Sequence, residues 1–206
     1  MDHWEVTVVP KAAPLSPLGV SVLSLLSERP MHPYEMYQLL MERHEDRVVK
    51  IHRGSLYHTV DRLAADRLAR ATGTAREGNR PERTTYQITA AGREQHEARL
   101  AELLAVPLNE YPLFTLGITD AHRLPLALVL EHLCTRVRAL EDNVAESAAS
   151  MADVRARKVA VRYRLDIDYT QAMRTAEIAW VRGLIADLRA KRITWQDDTP
   201  KKEVAQ

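Results

Sequence analysis

The stretch RGSLYHTVDRL, from Arg53 to Leu63, has the residue spacing of a short amphipathic helix. Its apolar side chains recur at helical intervals and so share one face: Leu56, Val60 and Leu63. The side chains on the opposite face are all able to form hydrogen bonds: Ser55, His58 and Arg62. Because serine is a common N-cap, we expect the helix to begin near Gly54 or Ser55 and to end around residues 65–66.

Helices and strands on either side of this segment follow the order of a winged helix-turn-helix domain. Two helices are predicted before it, one with Pro17 in its first turn and one with Pro33 at its first helical position. Two short strands are predicted after it, LARAT (68–72) and RTTYQIT (83–89), joined by a turn that contains glycine and proline. A helix from Ala90 to Val106 follows. The expected fold class is therefore mainly α with a small β-hairpin.

Positive charge is concentrated around the opening stretch. The chain of 206 residues has a net charge of only +1, but residues 47–83 contain nine Arg or Lys and four Asp or Glu, an excess of five. The remaining residues carry 20 basic and 24 acidic side chains, a net charge of −4. A local basic excess on a helix-turn-helix is the electrostatic pattern expected of nucleic-acid binding.

These residues predict a surface that contacts DNA. The third helix of a helix-turn-helix enters the major groove, where base edges present hydrogen-bond donors and acceptors. Arg62 is suited to a guanine, and the hydroxyl of Tyr57 is suited to a phosphate. Ser55 and His58 are suited to either kind of contact. The predicted wing adds side chains for backbone or minor-groove contact: Arg76, Asn79, Arg80 and Arg83.

The alternative to DNA contact is a solvated helix face beside a polar loop. We prefer this simpler interpretation for Asp61, Asp66 and Glu77. For the other side chains, the shared location and the order of the elements favour DNA, which the charge alone would not do.

A second, helical domain is predicted after a hinge marked by Pro107, Pro112 and Gly117. Its first long helix carries apolar residues at spacings of 4, 3, 4, 3, 4 and 7, a heptad seam: Leu126, Leu130, Leu133, Val137, Leu140, Val144 and Met151. A second helix is expected from about Asp153 to Arg192. The predicted divisions are an N-terminal arm (1–16), a winged helix-turn-helix domain (17–106), a hinge (107–118), a helical dimerisation domain (119–193) and a disordered tail (194–206).

Three blocks in this order resemble the PadR-like transcriptional regulators: PLGVSVLSLLSERPMHPYEM, GSLYHTVDRL and EGNRPERTTYQITAAGRE. The resemblance covers about Pro17 to Leu104, and Pro33 stands in place of the glycine in the family's usual His-Gly-Tyr-Glu block. The C-terminal YRLDIDYTQAMRTAEIAWVRGLI is similar to family members with a long C-terminal domain. The resemblance implies that Tyr34, Ser55, Tyr57 and the wing arginines contact operator DNA.

The resemblance also implies a homodimer, usually a repressor and often one released by a small ligand. In such proteins the C-terminal helices embrace the partner and often touch its first helix. The residues expected at the dimer interface are Val20, Leu23, Leu130, Leu133, Val137, Leu140, Val144, Trp180 and Leu184.

A small effector would need a pocket, and four residues are the candidates to line one between the dimer and the winged domain: Cys134, Tyr163, Tyr169 and Trp180. Residues at such helical spacing more often belong to a core. The competing hypotheses for the whole protein are a winged-helix protein–protein adaptor and a regulator that needs no ligand. The sequence names neither an operator nor a target gene, and it does not distinguish repression from activation.

Other function classes find little support. A single cysteine excludes an internal disulfide and suits a reducing cytosol, and Cys134 lies between core positions, where a packed thiol is expected rather than a nucleophile. The eight histidines lack metal-ligand spacing, so we expect no enzyme, metal or cofactor. No apolar run approaches a membrane span and residues 1–4 do not begin a signal peptide, so a soluble cytoplasmic protein is expected.

Overall fold

Three α-helices precede a β-hairpin in the N-terminal half of the chain. The computed structural model describes residues 14–75 and 83–195. The chain divides into an N-terminal unit, residues 1–109, and a C-terminal unit, residues 110–206. The elements of the first are α1 (Pro17–Glu28), α2 (Pro33–Glu42), α3 (Arg53–Ala65), β1 (Ala69–Ala75), β2 (Arg83–Ile88) and α4 (Ala90–Ala105). The second contains α5 (Leu113–Asp120), α6 (Leu126–Ala156) and α7 (Leu165–Arg189). The expected fold class, mainly α with a small hairpin, is confirmed.

Short-range capping bonds start the first two helices of the N-terminal unit. The Ser16 hydroxyl accepts a hydrogen bond from the Gly19 amide at 3.1 Å, which caps α1. The His32 ring accepts one from the Tyr34 amide at 3.0 Å, and Pro33 occupies the first position of α2 as predicted. Each cap satisfies a backbone donor that a helix end would otherwise leave free.

The start of α3 differs from the prediction. The helix begins at Arg53 and its N-cap is His52, which makes no side-chain capping bond. The first helical hydrogen bond joins the Leu56 amide to the His52 carbonyl at 2.9 Å. The helix therefore starts before Gly54 and Ser55, where the sequence predicted its beginning. Ser55 therefore lies inside the first turn, and the expectation that it caps the helix is wrong.

The hairpin closes the N-terminal unit. β1 and β2 are antiparallel, with Ala69 opposite Ile88 and an irregularity between Ala71 and Gly73. Met31 extends the sheet by one bridge to Tyr86, since the two residues exchange backbone hydrogen bonds of 3.1 Å. The core beneath draws on every helix before the hairpin and on both strands: Leu15, Leu18, Val22, Leu23, Leu25, Leu26, Met31, Met36, Leu40, Leu56, Val60, Leu63, Leu68, Ala69 and Ile88.

The junction of α3, β1 and α4 is tight. The Thr89 hydroxyl donates to the carbonyls of Arg67 and Leu68, at 2.8 and 3.1 Å, and accepts from the Gly92 amide at 3.0 Å, which caps α4. A Cβ on Gly92 would lie 2.1 Å from the Leu68 carbonyl oxygen. Only glycine allows the backbone of α4 to approach the Leu68 carbonyl, between α3 and β1, this closely.

A buried polar pair joins α4 to α1. The Ser24 hydroxyl and Nε2 of His96 are 2.9 Å apart, and His96 is buried. Burial lowers the pKa of His96 below its usual value, while the nearby Glu97 carboxylate opposes that shift more weakly. The ring is therefore neutral at pH 7, and its bond to Ser24 satisfies a polar group inside the unit.

In the C-terminal unit α6 and α7 form an antiparallel pair with one shared seam. The residues buried between them are Val129, Leu133, Val137, Ile178, Val181, Ile185 and Leu188. Leu130, Leu140, Val144 and Leu184 pack against this cluster and are partly buried. Ion pairs flank the seam, including one of 2.5 Å between Arg136 and Glu177.

Part of the expected dimer interface is thereby used within one chain. Leu133 and Val137 are buried against α7 within the single chain, so little of their surface is left for the dimer seam that the sequence predicts. A heptad pattern fits any helical partner, and here the partner is the next helix of the same chain. Leu23 belongs to the N-terminal core and has no exposed surface to offer the predicted interface. Val20 packs against the same core and keeps some exposure.

Two boundaries in the C-terminal half also differ from expectation. α5 occupies Leu113–Asp120, a segment interpreted from its prolines and glycine largely as hinge. The second long helix begins at Leu165 rather than near Asp153, because α6 continues to Ala156 and a 3₁₀ turn, Val161–Tyr163, separates the two. α5 contacts α7 through Phe114 and Trp180, whose rings meet edge to face with centroids 6.2 Å apart.

Candidate nucleic-acid interface

Helix α3 has one buried face and one exposed face. Its buried residues are Leu56, Thr59, Val60 and Leu63. At about 100° per residue, Gly54 and His58 lie opposite this stripe. Ser55 and Arg62 lie on one flank and Tyr57 lies on the other, where 41 % of its surface is exposed. The face that the sequence predicts for DNA contact is therefore the solvent-exposed face of the helix.

Arg62 has a partner inside the protein. Its Nη2 donates to the Ser16 hydroxyl at 3.0 Å, the same oxygen that caps α1. Arg62 lies in the last turn of α3, whereas base contacts in a helix-turn-helix come mainly from the first turns. This bond gives Arg62 a bracing role that the sequence did not indicate.

Arg53 is the basic residue that the sequence analysis missed. It is exposed at the first position of α3, and its guanidinium carbon lies 4.9 Å from the ring centre of Tyr37 and 5.8 Å from that of Tyr34. On the same side, Tyr57 meets the ring of His32 edge to face, with centroids 6.3 Å apart. An arginine at the first position of the third helix is the signal that was available in the sequence.

α3 is tied to the hairpin through Asp61 and Tyr86. Burial, and then the adjoining Asp61 carboxylate with its hydrogen bond, raise the pKa of the Tyr86 hydroxyl. The hydroxyl is thus held as a neutral donor to the carboxylate. Asp61 orients α3 against β2, in keeping with the preference for a role other than DNA contact.

The wing residues proposed from the sequence fall mostly outside the described part of the chain. Arg76, Asn79 and Arg80 are not described, and neither is the side chain of Arg83, which begins β2. Arg70 on β1 is exposed and pairs in register with Gln87, so the base of the wing also carries positive charge.

The four candidate ligand residues do not come together. A cavity of about 360 Å³ on the α6–α7 pair is lined by Cys134, Val137, Arg138, Arg182, Ile185, Ala186 and Arg189. Tyr163, Tyr169 and Trp180 are absent from this lining and are 68, 67 and 53 % exposed. Of the proposed set only Cys134 borders this cavity, so within the single chain the four residues do not line one pocket.

The cavity has apolar walls and an arginine rim. Arg189 Nη2 lies 3.6 Å from the Cys134 sulfur, and Arg138 donates to the Cys134 carbonyl at 3.4 Å. Arg182 is paired with Glu141, but no acidic partner accompanies Arg138 or Arg189 among the described residues. Two positive charges beside an apolar floor suit an organic anion.

Within residues 14–75 and 83–195 no group of three or more His, Cys, Asp or Glu side chains is placed to hold a metal ion. Over the same residues no helix is long and apolar enough to cross a membrane.

Comparison with known proteins identifies the N-terminal unit. Residues 22–98 match the family described as transcriptional regulator PadR-like. This segment belongs to the PadR-like family. The family is described as one of transcriptional regulators, which is the function class that the sequence analysis expects for this segment. No curated protein sequence matches the chain.

Solved structures extend the PadR-like fold to most of the chain. PadR of Bacillus subtilis in complex with operator DNA has a TM-score of 0.70 at 13 % identity, covering 84 % of this chain and 99 % of that one. The structure of the same protein in complex with p-coumaric acid has a TM-score of 0.66 at 12 % identity, covering 87 % of this chain and 99 % of that one. The virulence activator AphA of Vibrio cholerae gives 0.62 at 19 % identity, covering 84 % and 99 %. At these identities the likeness shows the fold.

Proposed function

We propose that this PadR-like protein is a sequence-specific DNA-binding transcriptional regulator that acts as a homodimer. The observation that carries the proposal is the exposed, hydrogen-bonding face of α3 in the most basic segment of the chain. The opposite face of α3 is buried, so the helix presents this surface in a fixed orientation. The PadR neighbour that is bound to operator DNA supports the same use of the fold.

The homodimer is inferred from a second apolar stripe on α7. Its buried stripe faces α6, but Leu165, Tyr169, Met173 and Trp180 are each at least half exposed. Their spacing of 4, 4 and 7 residues places them on one face, roughly 130° round the helix from the buried stripe. Apolar residues exposed along one helix face indicate a protein interface, and a second copy of the same chain offers a self-complementary surface. Trp180 thus remains in the proposed interface.

Repression relieved by a small ligand is the form of regulation that we propose. The arginine-rimmed cavity supports a ligand of anionic, partly apolar character. The PadR neighbour was solved with p-coumaric acid, a small organic acid. The AphA neighbour is named an activator, so the direction of regulation needs its own measurement, a reporter gene under the selected operator with and without the protein.

DNA binding is tested by selecting genomic fragments with the purified protein and measuring fluorescence anisotropy on the best fragment and on a scrambled copy. Wild type should prefer the selected fragment. His58→Ala and Ser55→Ala should weaken that preference by about 1–3 kcal/mol for each base-edge interaction that the substitution removes. Arg123→Ala, an exposed arginine of the C-terminal unit paired with Asp120, is the control and should bind as wild type. Equal binding of wild type to both fragments would contradict the proposal.

A further inference from the structure

Aromatic rings hold the side chain of Arg53. Its guanidinium lies over Tyr37 and Tyr34 of α2, and among the described residues no hydrogen bond or ion pair involves its side chain. A cation–π contact uses the charge and the ring face and takes none of the five N–H donors. The group is therefore restrained while its donors remain available to a partner outside the protein.

This restraint lowers the entropy cost of binding. A free surface arginine loses side-chain conformational entropy when a complex immobilises it, and this loss weakens binding. Two ring contacts from another helix limit Arg53 before any partner arrives. Arg62 is a different case, because its Nη2 donates to the Ser16 hydroxyl and this bond holds the side chain at the start of α1.

The position of Arg53 points to the DNA backbone. It lies on the flank of α3 that faces α2, together with Tyr57 and the ring of His32. In a helix-turn-helix the recognition helix fills the groove, and the helix before it crosses the phosphate backbone. A group between the N-terminal turns of these two helices therefore lies at the groove edge, where phosphates are the nearest partners.

We propose that Arg53, positioned by Tyr34 and Tyr37, binds a backbone phosphate of the operator and that Arg62 serves the fold instead of the DNA. The inference rests on the proposed DNA-binding function. A guanidinium is well matched to a phosphate, since two of its N–H groups donate to two oxygens of one group. Tyr34 and Tyr37 are positioning residues in this arrangement.

The first test is the salt dependence of DNA binding by the full chain. If Arg53→Ala removes one phosphate interaction from each protomer, the slope of log K against log salt should flatten by about 1.8 for the dimer. Between 50 and 200 mM salt this corresponds to about a twelvefold smaller loss of affinity than wild type shows. The affinity for selected and scrambled DNA should fall by the same factor. Arg62→Ala and the control Arg123→Ala should keep the wild-type slope.

The second test isolates the two tyrosine rings beneath Arg53. Tyr37→Phe keeps the ring and should bind DNA like wild type, whereas Tyr37→Leu should bind several-fold more weakly. In an Arg53→Ala background, Tyr37→Leu should cause no further loss of binding, because the group that the ring positions is gone. Thermal unfolding of each variant identifies the temperature range in which all are folded, and binding is compared there.

Three results would overturn the inference. An unchanged slope of log K against log salt for Arg53→Ala would show that Arg53 does not bind a phosphate. A loss confined to the selected sequence would make Arg53 a base-reading residue. Additive losses of DNA-binding free energy for Arg53→Ala and Tyr37→Leu would show that Tyr37 does not position Arg53. Failure of wild type to bind any DNA is a separate outcome, because it would overturn the proposed function before any variant is compared.

Discussion

The two units of this chain bury their apolar residues in different ways. Of the largest fully buried side chains in the described part of the chain, ten belong to the N-terminal unit and two, Val181 and Leu188, to the C-terminal unit. The N-terminal core closes with contributions from helices and a hairpin. The core of the C-terminal unit consists mainly of one seam between two helices.

This difference indicates where the proposed second copy would bind. A two-helix pair covers only one stripe of each helix, so any further apolar stripe must face water or a partner. On α7 that second stripe is Leu165, Tyr169, Met173 and Trp180. We therefore expect the N-terminal unit to be complete as a single copy and the C-terminal unit to use its second apolar stripe to bind a partner.

The largest effect is expected from charging the second stripe of α7. Tyr169→Asp with Met173→Asp should convert the dimer to monomers, because two pairs of carboxylates would be buried in the interface. Both side chains are more than half exposed in the single chain, so the fold of the protomer should survive. Light scattering measures the mass, and circular dichroism the helix content.

Two controls distinguish this stripe from the seam with α6. Thr175→Asp places a charge on an exposed position of α7 away from both stripes and should leave the dimer intact. Leu133→Ala, in the seam, should lower the free energy of unfolding by about 2–5 kcal/mol with the dimer still formed. A dimer that persists in the double aspartate variant would place the interface elsewhere.

The next largest effect is expected at the junction of α4 with α3. Gly92→Ala forces a Cβ to within 2.1 Å of the Leu68 carbonyl oxygen, so backbone must move. Overpacking of this kind costs about 1–3 kcal/mol, and a backbone neighbour places Gly92→Ala at the upper end. The matched variant Gly117→Ala in α5, where a Cβ meets no atom within 4 Å, should be neutral or stabilising. Chemical denaturation measures the free energy of unfolding of both variants. Equal values for Gly92→Ala and Gly117→Ala would mean that the junction at Gly92 is not tightly packed.

A smaller effect is expected from the bond between Arg62 and Ser16. Ser16→Ala removes the cap of α1 and should cost about 1 kcal/mol. Arg62→Ala should cost less, because an exposed hydrogen bond contributes little. In the double variant the two losses should be less than additive, since both remove the same hydrogen bond. Full additivity in denaturant titrations would show that the side chains act independently.

The smallest effect is expected from pH acting on His96. Its folded-state pKa is lowered by burial, so the unfolded chain binds a proton more readily. Stability from this group is complete above about pH 6.5, the usual histidine value, and is lost as pH falls below it. His96→Gln should flatten the dependence of unfolding free energy on pH between about 7 and 5, compared with the exposed control His58→Gln. An identical pH dependence of the unfolding free energy in the two variants would contradict the lowered pKa of His96.

Local chemistry made much of the N-terminal unit predictable. Pro33 starts a helix because its fixed backbone suits the first turn, and the apolar spacing of α3 identified its buried face. The contacts of Arg53 were beyond such reasoning, since they depend on how α2 crosses α3. The start of α3 was missed because a serine that can cap does not have to cap when the helix begins two residues earlier.

In the C-terminal unit the sequence located apolar stripes but did not assign their partners. The heptad spacing of Leu133 and Val137 is equally compatible with α7 of the same chain and with a second copy. Tyr169 and Trp180 share a face of α7 different from the one that borders Cys134, and this depends on where α7 begins. That start follows from a turn at residues 157–164, which has no strong proline or glycine signal.

The half-buried thiol beside the arginine-rimmed cavity also makes the chain easy to observe. Cys134 is the single cysteine in the sequence, so a nitroxide or fluorophore attaches at one known position without other substitutions. In a homodimer two such labels give one inter-protomer distance by electron spin resonance. Because the label lies at the cavity, its mobility would also report whether a small molecule has entered. Candidate effectors could therefore be titrated while the spectrum of the label is followed.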